Sequence, residues 1–327
     1  MFIHRRRGWE IPEREVTPEA IALGRRAVLG ASAGALLAGS ATPAAAQWNI
    51  FGRRPNMPDL AARKPMPAPR NAKYEPGRAI TGELEATTYN NYYEFGLSKS
   101  VYDEAKALKS EPWTVELAGM VAKPRSVGLD DLLKQVSLEE RVYRHRCVEA
   151  WSMVAPWTGF QLSDLVKLAE PLAGAKYVVF NTLADKATMP GLKQSWYPWP
   201  YTEACTTQEA MNELAFLAVG MYGKIVPPQN GAPIRLLLPW KYGFKAAKSI
   251  VKITFTDKRP KTFWEELQSS EYGFWANVNP AVSHPRWSQA QERVLGTDEM
   301  VPTKIWNGYG EFVAAMYDDK KNERLFA

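Results

Sequence analysis

The sequence has 327 residues, 46% hydrophobic and 23% charged, an ordinary globular composition that excludes wholesale disorder. Two cysteines and three histidines (His4, His145 and His284) exclude a disulfide scaffold, a four-cysteine zinc site and a cysteine-ligated iron–sulfur cluster. The formal charge of +6 is scattered among acids with no long basic run, which speaks against nucleic acid, while 12 Trp, 14 Tyr and 12 Phe point to deep pockets or broad packed surfaces.

Met1 to Ala46 reads as an export segment. Arg5, Arg6 and Arg7 open it, and Arg25 and Arg26 stand directly before an Ala- and Gly-rich stretch, Ala27 to Ala38. Ala44 and Ala46 fit a small-residue cleavage site, which makes Gln47 the mature start. Gly24-Arg-Arg-Ala-Val-Leu29 is similar to a twin-arginine signal, without the commonest Ser before the pair and Phe after it. A membrane helix is the rival reading, but Pro43 and many small residues oppose it, and no later stretch is long and apolar enough to cross. The expected compartment is the periplasm. The twin-arginine route carries folded proteins, often with a cofactor already inserted.

Residues 47–79 are rich in Pro and charge and read as an extended arm, with a mobile tail as the first reading and a strap or docking segment as the alternative. The folded body is expected from Ile80 to Ala327 as one compact domain. Trp113 to Leu117 alternates and reads as a strand. Leu129 to Leu133 and Gln161 to Leu168 have helical spacing. Tyr177 to Phe180 and Ile234 to Leu238 are short apolar runs. In Ser249 to Thr256, Val251, Ile253 and Phe255 face one way and Lys252 and Thr254 the other. Strands and short helices without a regular βαβ rhythm predict an α+β fold with mixed sheets. Motifs for dinucleotides, nucleotide phosphates, covalent haem and a serine-hydrolase elbow are absent from the sequence.

Three stretches can carry chemistry. In Tyr143-Arg-His-Arg-Cys-Val-Glu-Ala-Trp-Ser-Met153, Arg144 and Arg146 flank Cys147, and their positive field favours a metal-binding thiolate. Spacing alone also allows a buried structural cysteine with both arginines on a solvated face. Glu149 lies two residues on, a proton donor or acceptor by position. His145 and Cys147 form an i, i+2 pair, but zinc lacks further ligands. In an oxidising compartment Cys147 and Cys205 can also pair as a disulfide. Around Pro227 to Ser249, Arg235, Lys241, Lys245 and Lys248 surround small residues, a loop able to hold phosphate or a hairpin with a solvated basic loop. In Thr87 to Gly96, Asn90 and Asn91 sit within an aromatic run and offer polar groups to a heterocycle, unless the run is only a loop anchored by tyrosines.

Together these segments, with Tyr272-Gly-Phe274, Asn277-Val-Asn279 and His284 to Ala290, resemble the sulfite-oxidase-fold molybdoenzymes, and most closely the periplasmic protein-methionine-sulfoxide reductase catalytic subunits. The resemblance covers most of the chain after the export segment. It implies a sulfite-oxidase-type fold and one molybdenum–molybdopterin cofactor per chain, with Cys147 as metal ligand and catalytic residue. It places Asn90, Tyr93, Glu94, Thr182, Asn230, Arg235, Ala246, Ala247 and Lys248 around the pterin and its phosphate. Ala246 and Ala247 stand where that family often carries Gly or other small residues, and Ala does not tolerate a positive φ as Gly does. The implied reaction is oxygen-atom transfer from a sulfoxide, with Glu149 a candidate for proton delivery. Electrons are expected from quinol through a haem-bearing integral-membrane partner, and the substrates are oxidised periplasmic proteins. Two alternatives stay open: sulfite oxidation or small S- or N-oxide reduction on the same cofactor, and a metal-free exported binding protein with a Cys147–Cys205 disulfide.

Overall fold

Two mixed β-sheets carry the chain in a computed structural model that describes residues 58–326. The export segment and arm residues 47–57 lie outside the described residues. The first sheet holds β1 (Thr114–Gly119), β2 (Arg125–Gly128), β5 (Tyr177–Thr182), β6 (Thr202–Thr206) and β10 (Ile250–Thr256), in the order β2-β1-β10-β5-β6. The second holds β3 (Glu139–Arg146), β4 (Trp151–Gln161), β7 (Phe216–Met221), β8 (Lys224–Ile225), β9 (Arg235–Leu237), β11 (Gln291–Val294) and β12 (Met300–Pro302). The pairs β1–β10 and β4–β11 are parallel and the others antiparallel. The helices between them are short: α1 (Glu83–Thr88), α2 (Leu129–Leu133), α3 (Leu162–Ala169), α4 (Thr207–Ala210) and α5 (Phe263–Leu267). This is the expected α+β arrangement, and the described residues fall in one compact unit, Asn56–Ala327. Among the described residues no helix is long and apolar enough to cross a membrane.

Strand β4 organises the second sheet. Ten of its 11 residues are buried, so it reads as a continuous apolar run rather than an alternation. One edge pairs with β3 over its whole length, from Glu139↔Gly159 to Arg146↔Ser152. The other edge pairs first with β11 and then with β7. Pro156 falls in the gap between those partners, where its missing N–H breaks no ladder. The backbone N–H of Thr81 fills that gap by donating to the Val154 carbonyl at 2.9 Å. Phe160 and Phe216 are wholly buried beside this crossing, each contributing about 1.5–3 kcal/mol.

The sequence-derived strands and helices recur with small shifts. A bulge between Ile250 and Lys252 moves the register of β10, so Val251 is only half-buried while Ile253 and Phe255 are buried. The mobile-tail reading fails for residues 58–79, which form a strap. Its Met66 N–H donates to the Gly223 carbonyl at 2.8 Å, and Asn71 and Pro69 exchange 2.8 Å hydrogen bonds with Glu140. The disulfide alternative also fails. Cys205 is buried in β6 opposite Val178, Cys147 lies beyond the end of β3, and both are free thiols.

Candidate active site

Strands β3 and β4 join through a four-residue turn that presents Cys147. The Cys147 N–H donates to the Trp151 carbonyl at 2.9 Å, and Ala150 closes the turn at φ 60. The Glu149 N–H points at the Cys147 Sγ at 3.4 Å. The sulfur lies at the wall of a cavity of 450 Å³.

The two flanking arginines do not activate this thiol in the metal-free protein, contrary to the expectation from their charge. Burial, then the Glu149 carboxylate, push its pKa up to about 12, against weaker help from the Glu149 N–H, Lys99 and Arg146. The reason is strand alternation, which turns both arginines away from the cavity. Arg144 donates to the Pro76 carbonyl at 2.5 and 3.1 Å, and Arg146 is locked to Glu292 at 2.9 Å. Neither lies on a solvated face, since both are buried. His145 and Cys147, by contrast, share the cavity wall as their i, i+2 spacing predicts.

The floor of the cavity is electropositive. Arg235 on β9 stacks over Trp157 at 4.9 Å and donates to the Asn230 carbonyl at 2.7 Å, while its Nε has no partner. Burial brings its pKa down to about 10. Lys248 is brought down to about 8 by burial and by Arg235, with Glu94 and Cys147 opposing. The same field reaches His145, whose pKa falls to about 3 through burial, Arg235 and Lys248. Two glycines shape this floor. A Cβ on Gly243 would stand 2.5 Å from His145 Nε2, and Gly231 at φ +103 leaves room for Lys248, whose Cγ would lie 2.8 Å from a Cβ there.

Asn90 and Asn230 line another wall. Both side-chain amides donate to the Ala86 carbonyl in α1, at 3.3 and 2.9 Å. Their Oδ1 atoms are buried and without protein partners. Glu94 is also buried. Desolvation raises its carboxyl, opposed by Lys248 and by hydrogen bonds, one of them from Thr182 at 3.0 Å.

Glu149 lines the cavity and is paired with Lys99 at 2.6 Å. Asn91 and Trp151 donate to the same carboxylate, each at 3.1 Å. Burial pushes Glu149 up, but Lys99, Asn91 and Trp151 together hold it below the ordinary carboxylate range. Alone, it is therefore an anion at neutral pH with no proton to donate. Aromatic rings make the mouth: Tyr93 packs on Trp264 at 5.0 Å, Trp264 on Tyr272 at 5.0 Å, and His284 stacks on Trp287 at 3.8 Å.

Of the residues expected here, Asn90, Tyr93, Glu94, Cys147, Glu149, Asn230, Arg235, Ala246 and Lys248 line the cavity. Thr182 and Ala247 stand behind it. Thr182 supports Glu94, and the Ala247 carbonyl accepts the Leu236 N–H at 2.8 Å. Neither alanine needs a positive φ, since the left-handed residue of that loop is Ser249 at φ 45. The cavity also holds residues given no cofactor role from the sequence: Asn91, Tyr272, Arg286 and Trp287, all within flagged segments, His145, considered there only as a zinc ligand, and Trp264, which lay outside every flagged segment. Asn91 stood in the flagged Asn pair. The aromatic ones belong to distant segments that only the folded chain brings together.

Residues 102–264 match the oxidoreductase molybdopterin binding domain. A relative from Burkholderia mallei, named protein-methionine-sulfoxide reductase catalytic subunit, is 49% identical over 329 residues, covering 98% of this chain and 96% of its own. One of the same name from Pseudomonas syringae pv. tomato is 48% identical over 322 residues, covering 93% and 94%. The solved sulfane dehydrogenase SoxCD of Paracoccus pantotrophus is 18% identical, with a TM-score of 0.41 over 48% of this chain and 41% of its own, a likeness too partial to carry an argument.

Proposed function

The chain belongs to the family of protein-methionine-sulfoxide reductase catalytic subunits, and from that premise we propose that it reduces methionine sulfoxide residues in proteins to methionine at a molybdenum–molybdopterin cofactor held by Cys147. The observation that carries the reading is the cavity itself. It brings one buried thiol, a buried arginine and a half-buried lysine, and two unpartnered amide oxygens to a single space.

Those groups fit the cofactor. The Oδ1 atoms of Asn90 and Asn230 are acceptors for pterin N–H groups, since burying them unpaired is costly. Arg235 and Lys248 match a phosphate. Cys147 offers a soft thiolate once a metal takes the place of its proton. When bound, the cofactor supplies a two-electron oxygen-atom-transfer centre.

The chain's own residues do the rest. A sulfoxide needs two electrons and two protons to become a thioether and water. Lys99 holds a proton beside the Glu149 carboxylate, and both side chains are about one-third exposed, so the pair can pass protons inward from water. Glu149 thus acts in this reading as half of an ion pair, not as a lone acid. The rings of Tyr93, Trp264, Tyr272 and Trp287 screen the cavity and offer an apolar, polarisable wall to a thioether. Sulfite oxidation is disfavoured, because Arg144 and Arg146 face away from the cavity and form no compact cationic pocket there.

The export signal supports a periplasmic site of action by the twin-arginine route, and the absence of haem and dinucleotide motifs supports electron supply from a haem-bearing membrane partner fed by quinol. An assay with an artificial reductant tests the reading. Turnover is expected on a protein carrying methionine sulfoxide, and Cys147→Ser abolishes it. Turnover of sulfite alone would overturn the proposal.

A further inference from the structure

The strap and the cysteine turn meet in one hydrogen-bonded network behind the cavity. Arg78 of the strap donates to Glu292 at 2.9 Å and to Ser152 at 3.0 Å. The other oxygen of Glu292 accepts from Arg146 Nε at 2.9 Å. Arg146 also donates to Gln289 at 2.9 Å, to Thr303 at 3.1 Å and to the Cys147 carbonyl. The next carbonyl, Val148, accepts from Gln289 at 2.8 Å and from Trp287 at 2.7 Å. The first two carbonyls of the four-residue turn are thereby pinned by side chains. Arg146 is wholly buried and the Glu292 side chain is 4% exposed, whereas Arg78 is 19% exposed. The strap is fastened again nearby, where Arg144 donates to the Pro76 carbonyl.

We propose that Arg78 and Glu292 are positioning residues: the strap, through Glu292 and Arg146, holds the turn that aims Cys147 into the cavity. Seating of the strap and presentation of the cysteine are one event. This rests on Cys147 being the cofactor ligand, but its test does not.

The two thiols give the readout, because Cys205 is wholly buried in the other sheet and reports general loosening. Full-length, molybdenum-free protein is treated with iodoacetamide at fixed pH, and each cysteine is followed separately. Arg78→Met, which keeps the apolar stem, speeds alkylation of Cys147 roughly tenfold, as expected when one charge-assisted hydrogen bond no longer holds the turn closed. Cys205 stays protected, and Arg78→Lys returns Cys147 close to the wild-type rate. Parallel acceleration of both cysteines, or an unchanged Cys147, overturns the proposal. In loaded protein the same order appears as loss of molybdenum on dialysis. A wild-type chain that takes up no molybdenum would end the functional reading and leave the alkylation result standing.

Discussion

Arg235 shows most clearly how this chain trades stability for binding. It is buried, its pKa is lowered to about 10, and among the described residues no carboxylate pairs with it. Such a charge destabilises the cofactor-free fold and is offset only when an anion arrives. Arg235→Met is therefore expected to raise the thermal midpoint of cofactor-free protein while weakening cofactor retention at least tenfold, the equivalent of about 1.5–3 kcal/mol of charge-assisted hydrogen bonding. Thermal melts and metal analysis on the same variant check this. A lower midpoint with unchanged retention contradicts it. Lys99 makes a second residue-scale case. Lys99→Met leaves Glu149 without its proton source, so turnover falls while molybdenum content holds. The residue types at the site were legible in the sequence, because Cys147, Asn90, Asn230 and Arg235 sit in contiguous motifs. Protonation of the thiol was not: alternation already puts Arg144 and Arg146 on the face opposite Cys147, but the burial of Cys147 and the carboxylate of Glu149 beside it emerge only in the fold.

At the scale of elements, buried ion pairs fix the loops behind the site. Lys241 meets Glu209 of α4 at 2.5 Å, and both are buried. Burial pushes Glu209 up, but Lys241 and Tyr317 pull it below the ordinary carboxylate range. A depressed carboxylate contributes stability above its unfolded value, and that contribution disappears as pH falls through its folded one. Glu209→Gln should thus cost about 3–5 kcal/mol at neutral pH by stranding Lys241, and flatten the loss of stability below about pH 4.5. Denaturant melts at several pH values measure both. Gly231→Ala belongs to the same scale. At φ +103 with Lys248 in the way, it should destabilise the loop by about 1–3 kcal/mol and loosen the cofactor site. Alternation marked β1 and β10 and apolar runs marked β5 and β9, whereas the long central strand β4 was missed. It is buried on both faces, pairs with three neighbours and carries no alternation, so its length and centrality emerge only from the sheet.

Across the whole molecule, distant segments converge on one cavity and one strap encloses the body. The family resemblance carried by the motifs together was what suggested that cavity, since each motif alone left a structural reading open. The aromatic mouth was only partly legible: Tyr272 and Trp287 lie in segments that carry the resemblance, but nothing local marks their rings, or that of Trp264, as cavity lining rather than core packing. The strap was also underread. Proline and charge mark extension, but only β8 and Glu140 show where the extended chain lies. Replacing Arg25 and Arg26 by Lys is expected to keep the folded protein inside the cell, as fractionation would show. The most direct test of the account is the molybdenum content of purified full-length protein from cells that make the cofactor. The account predicts about one molybdenum per chain in the wild type and none retained by Cys147→Ser, with Cys205→Ser unaffected. Wild-type and Cys147→Ser proteins with equal molybdenum contents would contradict it.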